Sequence, residues 1–148
     1  MIHAHKLKLE TFLPYRLSVL SNLVSKAVAA LYEERFDLTL PEWRVMAVLG
    51  RTANLSASQI CEITAMDKVA ISRAVRRLVS MERVKAITDT GDARKQRLCL
   101  SSLGEQIYKE VVPLALQVEA QLLQKLAPEH LQTLDALITS LTDAARTL

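Results

Sequence analysis

Glycine and proline are scarce in this sequence, three and four residues among 148. That scarcity excludes a fold made of many tight turns or of units joined by long flexible linkers. Aromatic residues are 4% of the chain and cysteines number two. Cys61 and Cys99 have neither CxxC nor metal-ligand spacing, so both read as small buried apolar residues rather than as a disulfide or a metal site. His3 and His5 offer two ligands and His130 is isolated, too few for a structural metal, so neither a metal nor a cofactor is expected. No apolar run is long enough to span a bilayer, and Met1 to Lys6 lack the apolar core of a signal peptide; the expected location is cytoplasmic, with no membrane partner. No nucleophile with an oriented base and no glycine-rich phosphate cradle can be assembled, so the chain is not expected to be an enzyme.

What is present is a helix-rich, apolar chain with its positive charge gathered in one place. Half of the residues are hydrophobic, enough for one substantial core at this length. The formal charge is only +3, yet between Asp67 and Arg97 nine basic residues face four acidic ones, which leaves the remainder at −2. Such asymmetry suits a polyanion-binding surface on a near-neutral scaffold, the alternative being an ordinary solvated basic face.

Placement of these charges favours the first reading. Ser56-Ala57-Ser58-Gln59 has the form of a capping box that starts a helix anchored by Ile60 and Ile63. Ala65-Met66-Asp67 makes a turn, and a second helix follows. On it Ile71, Val75 and Leu78 share one stripe, while Val69, Ser72, Arg73, Arg76 and Ser80 share the opposite one. Arginine can fork onto guanine or bind phosphate, serine can donate or accept, and Val69 can touch a thymine methyl. Lys68 and Arg77 flank the stripe as phosphate contacts, with Ser56, Ser58 and Gln59 as further candidates on the preceding helix.

Two short strand-like runs, 84–88 and 97–100, bracket a polar loop containing Gly91, as a hairpin requires. Its basic residues Arg94, Lys95 and Arg97 can follow the backbone or enter a narrow minor groove. Asp92 either orients an arginine or simply stabilises the loop. The order of parts reads as a winged helix-turn-helix over 39–101, in a mainly α fold with a small β-wing; an ordinary helical hairpin is the alternative for its first half.

The flanking segments, 8–36 and 102–148, read as a terminal-helix dimerisation layer. Apolar residues recur at Leu13, Leu17, Leu20, Val24, Ala27 and Leu31, and again at Leu103, Ile107, Val111, Leu114, Val118, Leu122 and Leu126. Pro113 should kink or interrupt the second series, and Pro128 opens a last helix. Helices of this length would project beyond a winged core, which favours burial against a second copy.

The run Thr39-Leu40-Pro41-Glu42-Trp43, then Gln59 to Ile63, Val69 to Leu78, Asp92-Ala93-Arg94 and Leu98 to Gly104 resembles the MarR family of bacterial transcriptional regulators over nearly the whole chain. The Asp-x-Arg wing followed by Leu-Ser-x-x-Gly is the most specific part. Two positions depart from the family pattern: Glu82-Arg83 stands where glycine is usual before the first wing strand, and Ala86 where arginine is common. The resemblance implies a homodimeric repressor that binds a palindromic double-stranded operator and is released by a small-molecule effector, often an aromatic acid or phenolic compound. Tyr15, Arg16 and Trp43 are the effector candidates, with a core role for Trp43 and a surface or interface ion pair for Arg16 as the alternatives. The first helix has no cysteine, so the peroxide-sensing thiol of some relatives is not expected here. A helical interaction or architectural protein that binds DNA nonspecifically, or docks a protein partner, is the competing reading.

Overall fold

Side chains close the open starts of the three helices that build the middle of the chain. The structure, a computed structural model, describes residues 6–92 and 94–148. After a 3₁₀ turn at Leu9–Thr11, α1 runs over Leu13–Ala29 and a single-turn α2 over Glu33–Phe36. Then come α3 (Leu40–Arg51), α4 (Ala57–Thr64) and α5 (Lys68–Ser80). Thr39 and Glu42 form a capping box at α3, Ser56 and Gln59 do the same at α4, and the Asp67 carboxylate accepts from the Val69 and Ala70 amides at α5. The α4–α5 turn passes through Ala65 in the left-handed region, φ 53°.

Strands β1 (Val84–Thr88) and β2 (Gln96–Leu100) form an antiparallel hairpin in which Val84 faces Leu100 and Thr88 faces Gln96. The fold is mainly helical with a small β-wing, as the sequence predicts. One tie was not legible there. Leu55, just before α4, bridges Leu98 of β2, and the Asn54 amide also donates to the Leu98 carbonyl at 2.9 Å. The wing base is thereby fastened to the segment that leads into the helix-turn-helix.

Helix α5 ends in a Schellman motif. The Arg83 amide donates to the Leu78 carbonyl and the Glu82 amide to that of Val79, with Glu82 at φ 58°. This is the position where the family pattern has glycine. A side chain in the left-handed region costs roughly 1–2 kcal/mol. The turn is held from the other side: the Ser101 hydroxyl donates to the Glu82 carbonyl at 2.6 Å, and the Ser101 amide to that of Arg83 at 3.0 Å. At Gly104 a Cβ would fall on the Arg83 carbonyl oxygen, so the helix after the wing passes the turn only because this residue lacks a side chain.

That helix, α6, spans Ser102–Leu123, and α7 spans Pro128–Ala145. Pro113 lies inside α6, which remains continuous through it. By contacts the chain divides into two compact units, Met1–Leu114 and Ala115–Leu148. The first holds the core. Ile60, Ile71, Leu78 and Leu98 are fully buried there, each such side chain contributing roughly 1.5–3 kcal/mol. Ala29, Tyr32, Leu38, Ile107 and Val111 are buried with them, so the core draws on residues outside 39–101. In the second unit, Leu131 and Leu134 of α7 are half-buried, while Leu137, Ile138 and Leu141 are exposed. No described helix is long and apolar enough to cross a membrane.

Candidate nucleic-acid interface

Helix α5 divides its faces nearly as its periodicity predicts. Ile71, Ala74 and Leu78 are buried and Val75 is half-buried, whereas Val69, Arg73 and Arg76 are exposed and Ser72 is half-exposed. Ala74 joins the core beside the longer aliphatic residues, a small residue that amphipathic spacing alone undervalues. The Ser80 hydroxyl donates to the Arg77 carbonyl at 2.7 Å and so closes the end of the helix. Lys68 is exposed at its start, one residue after the capping Asp67.

The start of α4 and the wing share a cleft of about 330 Å³, lined by Ser56, Ser58, Gln59, Asp89, Lys95, Gln96 and Arg97. Five of the sequence-derived candidates are thus brought together. Two are partly engaged already: the Ser56 hydroxyl accepts from the Gln59 amide and the Gln59 side-chain carbonyl from the Ser56 amide. The Ser56 hydroxyl proton and the Gln59 side-chain NH₂ keep their donor capacity toward the cleft.

In the wing loop, Asp92 accepts from the Arg94 amide at 2.9 Å, an Asx turn that orders the chain without touching the Arg94 guanidinium. Its loop-stabilising role is therefore the observed one. Asp89 accepts from the Gly91 amide at 2.9 Å and from Arg97 Nε at 3.2 Å. The Gly91 bond, reinforced by the nearby positive charge of Arg97, holds the Asp89 carboxyl below the usual carboxylate range. Arg97 also donates to the Asn54 carbonyl at 3.0 Å, so this residue braces the wing base as well as lining the cleft. Arg94 and Lys95 are exposed at the loop tip; Ala93 lies outside the described residues, as do His3 and His5.

Two residues assigned a ligand role from the sequence are engaged within the fold. Arg77, read there as a phosphate contact, is half-exposed and its guanidinium is held by two carboxylates, one buried and one in water. Its Nη1 donates to Glu42 at 2.6 Å and to the Asp37 carbonyl at 3.0 Å, and its Nη2 donates to the Asp37 carboxylate at 2.7 Å. The Glu42 hydrogen bond raises the Arg77 pKa further above its ordinary value. Trp43, read as a wall for a ligand, is buried in the core. It stacks with Tyr32 at 5.6 Å and with Tyr108 at 6.2 Å between ring centroids. Gly50 lets the Tyr108 ring lie directly against α3. Burial pushes the Tyr32 hydroxyl up to about 12. Tyr15 and Arg16, the other effector candidates, are exposed on α1.

Glu42 and Asp37 were missed as partners of the basic segment. The Thr39-x-x-Glu42 spacing announces a helix cap, and nothing in it announces that the same carboxylate is buried and reaches α5. Arg83 was missed also: burial and the neighbouring Arg77 charge lower its pKa, and its Nη1 is buried without a hydrogen-bond partner.

Comparison with known proteins agrees with this architecture. A sequence model of the MarR family matches residues 36–95, which run from the end of α2 into the wing loop. The transcriptional regulator HosA of Escherichia coli O111:H- is 22% identical over 125 residues, covering 84% of this chain and 93% of its own length. Among solved structures, a MarR/EmrR family transcriptional regulator from Acinetobacter sp. ADP1 superposes with a TM-score of 0.88 at 22% identity, over 96% of this chain and all of the other. A putative MarR family transcriptional regulator from Listeria monocytogenes, crystallised with a 26mer DNA, gives 0.82 at 12% identity over 87% of this chain and 85% of the other. The family model over the helix-turn-helix and the first part of the wing, the fold matches along most of the chain and the capped α4–α5 pair agree: the chain is similar in sequence to the MarR family over residues 36–95 and has the winged helix-turn-helix fold of the solved MarR-family regulators.

Proposed function

We propose that the chain is a homodimeric, sequence-specific DNA-binding repressor of a palindromic operator. The observation that carries this reading is the rotational setting of α5, with Ile71, Ala74 and Leu78 buried and Val69, Arg73 and Arg76 turned outward beside a basic wing. Arg73 and Arg76 read base edges in the major groove, while Arg94 and Lys95 meet the flanking backbone or minor groove. Ser56, Ser58, Gln59 and Lys68 anchor phosphates near the helix starts, where N–H groups and the helix dipole favour anions. Dimerisation is supported by the apolar side chains that one copy leaves exposed on α1, Leu13, Leu17, Leu20 and Leu23 among them. Release by a small aromatic acid or phenolic effector follows from the family resemblance, and Tyr15 and Arg16 are its remaining candidate contacts now that Trp43 is committed to packing.

Operator and random-duplex titrations at several salt concentrations test the whole reading. Arg73→Ala and Arg76→Ala should each lose operator affinity by about 1–3 kcal/mol and leave random-duplex affinity nearly unchanged. Arg94→Ala should weaken both duplexes and lower the salt slope by about 0.9. Added effector should release the operator through preferential affinity for a state that no longer fits it. Operator affinity untouched by all three substitutions would refute the site, and affinity untouched by saturating aromatic acids would refute the effector.

A further inference from the structure

The ion-paired arginine of α5 joins segments far apart in the chain. Asp37 ends α2 in the left-handed region at φ 53° and presents both its carboxylate and its carbonyl to Arg77. Glu42, in the first turn of α3, is 3% exposed, and the oxygen that takes Arg77 Nη1 also takes the Thr39 amide at 3.0 Å. One guanidinium therefore spans the end of α2 and the start of α3, holding them to the middle of α5. A planar fork can do this, whereas a lysine ammonium can serve only as a point charge. On α5, Arg77 follows Arg76 directly and lies one helical turn beyond Arg73, so a change in how it is held rotates or tilts the two outward arginines together.

From this geometry we infer that Arg77 is a positioning residue for operator recognition: clamped by Glu42 and Asp37, it sets the pose of α5 and does not itself contact phosphate. The inference rests on the DNA-binding reading above. Glu42 carries the larger share, because without Arg77 its buried carboxylate would keep the Thr39 amide but lose its countercharge, while the Asp37 carboxylate remains in water. The firm protonation of Arg77 and the lowered pKa of its neighbour Arg83 accord with one committed guanidinium next to a partly buried one.

The experiment compares Arg77→Lys, Arg77→Ala, Glu42→Gln and Asp37→Asn in the full chain, measuring Kd for operator and for a random duplex across salt. Glu42→Gln keeps an acceptor for the Thr39 amide and loses only the charge. A clamp predicts that Arg77→Lys, Arg77→Ala and Glu42→Gln each weaken operator binding about tenfold, with random-duplex affinity and the salt slope unchanged. The Arg77→Ala/Glu42→Gln double variant should be no worse than the single ones. A phosphate contact predicts the opposite pattern: Arg77→Lys binds as wild type, while Arg77→Ala weakens both duplexes and lowers the slope by about 0.9. That pattern, or wild-type operator affinity in all variants, overturns the inference. Asp37→Asn alters an exposed partner and serves if a Glu42 or Arg77 variant fails to fold; a smaller loss confined to the operator supports the clamp, and no loss counts against it. If the wild-type chain itself shows no operator preference, the DNA-binding reading has failed, and the clamp is then judged by thermal melts. Tm losses of Arg77→Ala and Glu42→Gln that fall short of additivity sustain it, and additive losses overturn it.

Discussion

Gly104 illustrates how a single position can govern the junction between wing and helix. Its missing Cβ leaves room for the Arg83 carbonyl, and that carbonyl accepts the Ser101 amide that turns the chain into α6. Gly104→Ala forces backbone atoms apart, so it should destabilise the fold by about 1–3 kcal/mol, lowering Tm by several degrees in a melt followed by circular dichroism. An unchanged Tm would show that the junction can move freely. The glycine itself is plain in the Leu-Ser-x-x-Gly signature, but its reason is not, because the clashing atom belongs to a residue on the far side of the wing. Arg77 was illegible for the same cause. Periodicity reports which side of a helix a residue occupies, and it cannot report a carboxylate 35 residues earlier that folding brings to 2.6 Å. Trp43 shows a third form of the limit: an indole has the same chemistry whether it lines a ligand or packs between tyrosines, and only burial distinguishes the two.

The helix-turn-helix was legible because its signals are local. A Ser-x-x-Gln box, a three-residue turn and a stripe of aliphatic residues each act over a few positions, and the structure realises them at 56–80 except at Ile63, expected as an anchor of α4 but exposed. The hairpin was legible in outline, its strand bounds agreeing to within one residue, yet its attachments were not. The Leu55–Leu98 bridge, the Arg97 bond to the Asn54 carbonyl and the Glu82 Schellman turn all depend on approach between separate segments. The wing loop offers a pH test of how it is ordered. Ionised Asp89 is the form that holds Gly91 and Arg97, and its folded pKa lies below the unperturbed 3.8. Its contribution is therefore present above that value and is lost as pH falls through the depressed folded pKa. The Gly91 amide resonance should titrate with a midpoint below 3.8, and Asp89→Asn should abolish the transition. A midpoint at or above the unperturbed value would mean that the loop is not closed by this carboxylate in solution.

Taken together, the elements of the first unit form a platform that buries one side of α5 and leaves the other to water. Its ion pairs divide accordingly. Arg35–Glu110, at 2.6 Å between exposed side chains, is of the kind worth about 0–1 kcal/mol, whereas Arg77 engages a carboxylate withdrawn from solvent. Among the basic side chains outside these pairings, Lys68, Arg73, Arg76, Arg94 and Lys95 are exposed on α5 and the wing loop. Exposed apolar side chains cluster on α1 and, in the second unit, on the end of α6 and on α7. The first set suits a polyanion and the second a matching apolar surface, and a two-fold operator bound by two copies would satisfy both. Selection of bound sequences from a random DNA pool measures this most directly. Enrichment of a two-fold symmetric motif with half-sites about one helical turn apart is the expected result; recovery of sequences with no shared motif, at unchanged affinity, would contradict sequence reading by the outward face of α5.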